Sequence, residues 1–132
     1  AQRSVPPKNI LELCDLLEPK RRTESWGRIY ICNVDEVDEK QVVEVLQTIP
    51  AKFRGAMGTR AKALAERCGI SMDFTYGVID KCILKALLGK NCIIMTSGEM
   101  VDHIIKRIRE YCQESGARIE TILILKSTEI LK

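Results

Sequence analysis

The sequence predicts one α/β domain, with a small, mostly parallel sheet of about three to four strands and helices packed on it. Two observations and one packing rule carry this. The stretch "NCIIMTSGEMVDHIIKRIREYCQESGARIETILIL" holds a short apolar run, a long helical period and a second apolar run, in that order. The stretch "GRIYICNVDEVDEKQVVEVLQTIP" repeats the strand-then-helix theme. A strand, helix, strand unit in one sheet crosses over right-handed and makes its strands parallel, so one layered arrangement explains both stretches.

Taken in order, Pro7 fits a first helical turn, with Ile10, Leu13, Cys14 and Leu17 along one side and Pro19 as the stop. The polar, cationic "PKRRTESWG" follows. Residues 1–27 therefore read as an N-terminal helix and basic connector, and residues 28–132 as the α/β domain. A strand is expected near Arg28 to Val34. A helix is expected near Asp38 to Thr48, with Val42, Val43, Leu46 and Ile49 inward and Pro50 closing it.

"TRAKALAERCGIS" reads as a helix capped by Thr59, with Ala61, Leu64, Ala65 and Cys68 on one face and Gly69 at the turn. That spacing resembles the first helix and turn of a helix-turn-helix. The residues that would then read bases, Ser71 to Tyr76, include no Arg, Lys, Asn or Gln, and Asp73 repels phosphate. The favoured alternative is an extended link over Ile70 to Phe74 leading into a buried helix, with Asp73 or Thr75 as its cap. In that helix Val78, Ile79, Cys82, Ile83, Leu87 and Leu88 make a wide apolar face, and Gly89 ends it.

Cys92 to Met95 is the next strand, and Thr96 to Glu99 has the T-x-x-E spacing of a capping box. The helix that follows carries Val101, Ile104, Ile105, Ile108, Tyr111 and Cys112 as one stripe, and Gly116 stops it. Ile119 to Leu125 is apolar on both alternate faces, as in a strand covered on both sides. It is expected beside Cys92 to Thr96.

The chain has 132 residues, 45% hydrophobic and 30% charged, the balance of one domain with its own core. A net charge of +3 is too small to predict nucleic-acid binding by itself. No apolar run approaches the roughly 18 residues that span a bilayer, and no charged start precedes an apolar stretch. The expectation is a soluble, cytoplasmic protein without a membrane partner. The six cysteines, at positions 14, 32, 68, 82, 92 and 112, form no CxxC pair and read as reduced, small hydrophobes. Cys68 and Cys82 with a third ligand are the one metal constellation to weigh against that. Nothing local supports it, and no metal is expected.

In an open parallel sheet, ligands bind outside the carboxyl ends of the strands. That rim would collect Asn33 and Asp35, then Thr96, Ser97 and Gly98, then Lys126, Ser127 and Thr128. A helix starting at Gly98 would offer free N–H groups and a dipole to an anion. The competing reading is that Thr96 to Gly98 only cap and turn. Neither GxGxxG nor GxxxxGK[ST] occurs in the chain. The single histidine, His103, lies well off the apolar stripe and faces solvent. No nucleophile, base and orienter set can be assembled, so no catalytic residue or cofactor is assigned. Asp35, Glu36, Asp38 and Glu39 read as an acidic helix start, and Lys106, Arg107 and Arg109 as a solvated face.

The expected function is a small binding or regulatory domain, alone, as a homo-oligomer or as a subunit of a larger complex. It would accept an anionic small ligand or a protein partner at the rim. One alternative is a nucleic-acid binder using residues 59–82 with Arg60, Lys62, Arg67 and the "KRR" connector. Another is an enzyme subunit whose active site is shared with a partner.

Overall fold

A computed structural model of the chain describes residues 26–124. The helix expected from Pro7 to Leu17 and the rim residues Lys126, Ser127 and Thr128 lie outside the described residues. Within them the order is β1 (Arg28–Asn33), α1 (Glu39–Thr48), β2 (Phe53–Met57), α2 (Thr59–Arg67), α3 (Val78–Leu87), β3 (Cys92–Thr96), α4 (Gly98–Ser115) and β4 (Glu120–Ile124). The four strands form one parallel sheet in the order β2-β3-β1-β4.

β3 and β4 are parallel, as expected, but they are not neighbours. β1 lies between them, with Ile31 paired to Ile94 on one side and to Leu123 on the other. The composition of β1 accounts for its place, since Ile29, Tyr30, Ile31 and Cys32 are all buried and a run buried on both faces belongs in the interior of a sheet. β2 was not expected at all. Its Gly55 is required by a close approach, because a Cβ there would come within 2.4 Å of Val78 Cγ1.

The connections set the layers. The step from β1 to β2 runs one way across the sheet, and the steps from β2 to β3 and β3 to β4 run the other way. Right-handed crossovers then put α1 on one face and α3 and α4 on the other, with α2 beside α1 before the chain changes face. Tyr30, Cys32, Ile93 and Met95 meet Val42, Val45, Leu46 and Ile49 of the α1 region and Ala61, Leu64 and Ala65 of α2. Ile29, Ile31, Cys92 and Ile94 meet α3 and α4 on the other face, through Val78, Ile79, Cys82, Ile83, Ala86 and Leu87, and Val101, Ile104, Ile108 and Tyr111. Alternate strand residues thus fill two separate cores. Val45 of α1 is buried where Val43 was expected, and Val43 is only half-buried.

Because α2 packs on one face and α3 on the other, residues 68–77 must carry the chain around the edge of β2. They do so as a link, with no helix. Asp73 N–H donates to Arg54 O at 2.9 Å and Ala56 N–H donates to Asp73 O at 3.0 Å, a one-residue parallel bridge that covers the edge strand. The helix-turn-helix resemblance ends at the turn, since no recognition helix follows it. Neither expected cap forms. α2 is capped by Gly58 rather than Thr59, and α3 starts at Gly77, in the left-handed region at φ +80° with no side-chain cap. The Asp73 carboxylate instead braces its own loop, accepting from Thr75 N–H at 2.9 Å, Thr75 Oγ1 at 2.6 Å and Lys81 Nζ at 3.1 Å.

The thiols divide between the layers. Cys82 belongs to the α3 and α4 core and Cys68 packs on the other one, so the sheet separates them and they cannot share a metal ion. Burial pushes the Cys32 thiol up to about 12 and raises that of Cys82 well beyond its ordinary range. The Cys92 thiol donates to the carbonyl oxygen of Cys82 at 3.4 Å.

Candidate functional site: the crevice between β1 and β3

β1 turns into α1 on one face of the sheet, and its neighbour β3 turns into α4 on the other. The gap between their carboxyl ends, where Asn33 pairs with Thr96, is a topological switch point, the place where open α/β sheets hold ligands. The five rim residues read from the sequence and described here, Asn33, Asp35, Thr96, Ser97 and Gly98, converge on it.

A carboxylate side chain of the chain itself reaches across the crevice. The Asn33 Oδ1 accepts from Asp35 N–H at 3.0 Å, a short turn that folds the chain back after β1. The Asp35 Oδ2 then accepts from Gly98 N–H at 2.7 Å, and its Oδ1 pairs with Arg60 Nε at 2.9 Å. A carboxylate at the start of α4 satisfies one otherwise free N–H and lies at the favourable end of the helix dipole. The capping box expected from Thr96 and Glu99 is therefore replaced. Ser97 is the N-cap residue, it makes no side-chain cap, and the anion comes from Asp35. Gly98 has its reason here too, since a Cβ would sit 3.1 Å from Asp35 Oδ2 and 3.3 Å from both amide atoms of Asn33. The glycine makes room for Asp35 beside the start of α4. Thr96 is fully buried, and its hydroxyl has no hydrogen-bond partner among the described residues.

Nothing local in the sequence brings Arg60 to this site, because β2, which delivers it to the rim, has no continuous apolar run. On the α1 and α2 side of the crevice lies a cavity of about 630 Å³ whose lining includes Asp38, Glu39, Arg60 and Arg67. Its arginines are paired, Arg60 with Asp35 and Arg67 with Glu39, the latter through Nε at 2.8 Å, and the Asp38 carboxylate accepts from Gln41 N–H at 2.9 Å. Lys62 lies over the Phe74 ring, 5.5 Å from its centroid. Arg60, Lys62 and Arg67, the cations proposed to meet nucleic acid, thus each face a partner within the chain. His103 is exposed on α4, as the helical wheel predicts. Among the described residues, no three His, Cys, Asp or Glu side chains are placed to hold a metal ion.

No family model matches the sequence, and no solved structure matches it. Two curated proteins do. The chain is 45% identical over 101 residues to a protein named as an ABC transporter ATP-binding protein in Methanosarcina mazei, a match covering 76% of this chain and 22% of that one. It is 29% identical over 119 residues to the energy-coupling factor transporter ATP-binding protein EcfA2 of Methanospirillum hungatei, covering 86% of this chain and 30% of that one. The matched segments are thus less than a third of each relative's length. These relatives overturn the expectation of a small binding or regulatory domain and of its nucleic-acid alternative: what this chain is similar to is a segment of longer, transporter-associated ATP-binding proteins.

Proposed function

We propose that the chain is part of an ATPase subunit of a membrane transporter, and that it is a part in which the nucleotide phosphates are not held. The observation that carries this is the 45% identity over 101 residues with a protein of that name, a match that takes in 76% of the chain. Two features of these residues support the second half. The GxxxxGK[ST] run whose backbone cradles phosphates is absent from the sequence. The start of α4 at the switch point, where an anion would otherwise sit, is taken by the Asp35 carboxylate.

On this reading Asn33, Asp35 and Gly98 lock the rim rather than receive a substrate, and they tie the loop before α1 to the start of α4. ATP is bound by another segment of the subunit, on the cytoplasmic side where ATP is found. The partner is a membrane component of the transporter, the setting that the names of both relatives give.

The test is a deletion in the Methanosarcina mazei relative. Removing the 101 aligned residues should leave ATP binding intact and abolish stimulation of ATP turnover by the membrane component. Loss of ATP binding in a deletion protein that still folds would contradict the assignment.

A further inference from the structure

A second concavity opens on the other side of the rim, away from the Asp35 crevice. The end of β2, the loop before α3, the first turn of α3 and one face of α4 enclose a groove of about 440 Å³. That volume is within the range of sites that take small organic molecules, roughly 300 to 1,000 Å³. Its three parts differ in chemistry. Met57 and the first residues of α3 make an apolar floor, Phe74 and Tyr76 make an aromatic lip, and Asp80, His103 and Arg107 make a polar end.

The loop that carries the lip is braced. Asp73 is bridged to β2 through its backbone on both sides, and its carboxylate gathers Thr75 N–H, Thr75 Oγ1 and Lys81 Nζ, while Lys81 Nζ also donates to Thr75 Oγ1 at 2.6 Å. Tyr76, at 99% exposure, is presented to water on this braced turn. The backbone that carries the ring is fixed, so only the ring's own two torsions are lost when something flat is laid against it. The polar end is neutral as a pair. Arg107 Nη2 donates to Asp80 Oδ1 at 3.0 Å, and that contact engages only one of the carboxylate oxygens and one guanidinium nitrogen. The pair therefore selects no net charge but offers an acceptor and donors side by side, and His103, one turn before Arg107, adds an imidazole next to them.

We propose that this groove binds a planar, uncharged heteroaromatic ring, stacked on Tyr76 and hydrogen-bonded along its edge to the Asp80 and Arg107 pair. Such a ring has the three properties that the groove has in complement: a flat apolar face, a thin profile, and adjacent donors and acceptors on one edge. The inference goes beyond the transporter reading and does not rest on it.

The experiment is a calorimetric titration of the chain with adenosine, guanosine and riboflavin, chosen as uncharged rings with different edges. At least one should bind saturably with a dissociation constant below about 1 mM. Tyr76→Ala should weaken it by about tenfold, the scale of one lost stacking contact. Asp80→Asn should change which of the three binds best, because it turns one acceptor into a donor, and the unchanged melting of both variants would show that they fold. Tripolyphosphate should not compete. Failure of all three probes to saturate by about 1 mM, equal affinity in Tyr76→Ala, or displacement by tripolyphosphate would overturn the proposal.

Discussion

The backbone N–H of Gly98 donates to the carboxylate of Asp35 at 2.7 Å, across 63 positions of sequence. One bond thereby ties the loop after β1 to the first turn of α4, at the point where the two chains leave the sheet for opposite faces. The anion at this helix start is part of the chain, and its second oxygen is held by Arg60.

Asp35→Ala should therefore do two things. It should cost about 1 to 2 kcal/mol, the scale of a lost helix cap. It should also create an anion site where none was open, so that sulfate or phosphate raises the melting temperature of the variant and leaves the wild type unchanged. Equal responses of the two proteins to phosphate would show that Asp35 does not hold the helix start.

A side chain at position 98 should act through Asp35. Gly98→Val should lower the melting temperature more than Gly98→Ala, since any Cβ there meets Asp35 and Asn33 first. The cost of Gly98→Ala should shrink in an Asp35→Ala background, a non-additivity that a double-mutant cycle reads directly. Strictly additive losses would separate the two residues.

Asp73 gives a pH dependence with a defined sign. Hydrogen bonds from the Thr75 hydroxyl and N–H, and then from Lys81, lower its carboxyl to about 2, from an ordinary value of 3.8. A folded value below the unfolded one means that the ionised group stabilises the fold above about pH 4, and that this is lost as the pH falls towards about 2. Asp73→Asn should flatten the fall in stability across that window, measured by denaturant unfolding at several pH values. An unchanged slope would mean that the loop is not braced by the charge.

On α4, Ile104→Asp should cost about 3 to 5 kcal/mol, because it places a charge where the side chain is fully buried against the sheet. His103→Ala, one residue earlier on the exposed face, should stay within about 0.5 kcal/mol. Chemical denaturation of the two variants checks this.

The contrast between these residues shows what was legible. Helical period reports which face is apolar, so α1, α3 and α4 and most of their buried residues follow from spacing, and so do the strands that flank α4. Period does not report which strand is whose neighbour, and β1 between β3 and β4 had to be seen. β2 was hidden because Arg54 and Gly55 interrupt its apolar run, and Gly55 is explained only by Val78 pressing on it. The rim residues were legible because they follow strands. Their chemistry was not, since the bond from Gly98 to Asp35 joins loops far apart in sequence, and a local capping box seemed to suffice. The likeness to transporter ATP-binding proteins was invisible for a related reason: no short phosphate-binding motif lies in the chain, and the similarity is spread over 101 residues.

Membership of a transporter ATPase is tested most directly by capture from the source cells with an antibody raised against the folded domain. The captured material should hydrolyse ATP and contain a GxxxxGK[ST] segment, whether in the same polypeptide or in a bound one, while the isolated 132-residue chain should not hydrolyse ATP. Captured material without ATP hydrolysis, or ATP hydrolysis by the isolated chain, would contradict it.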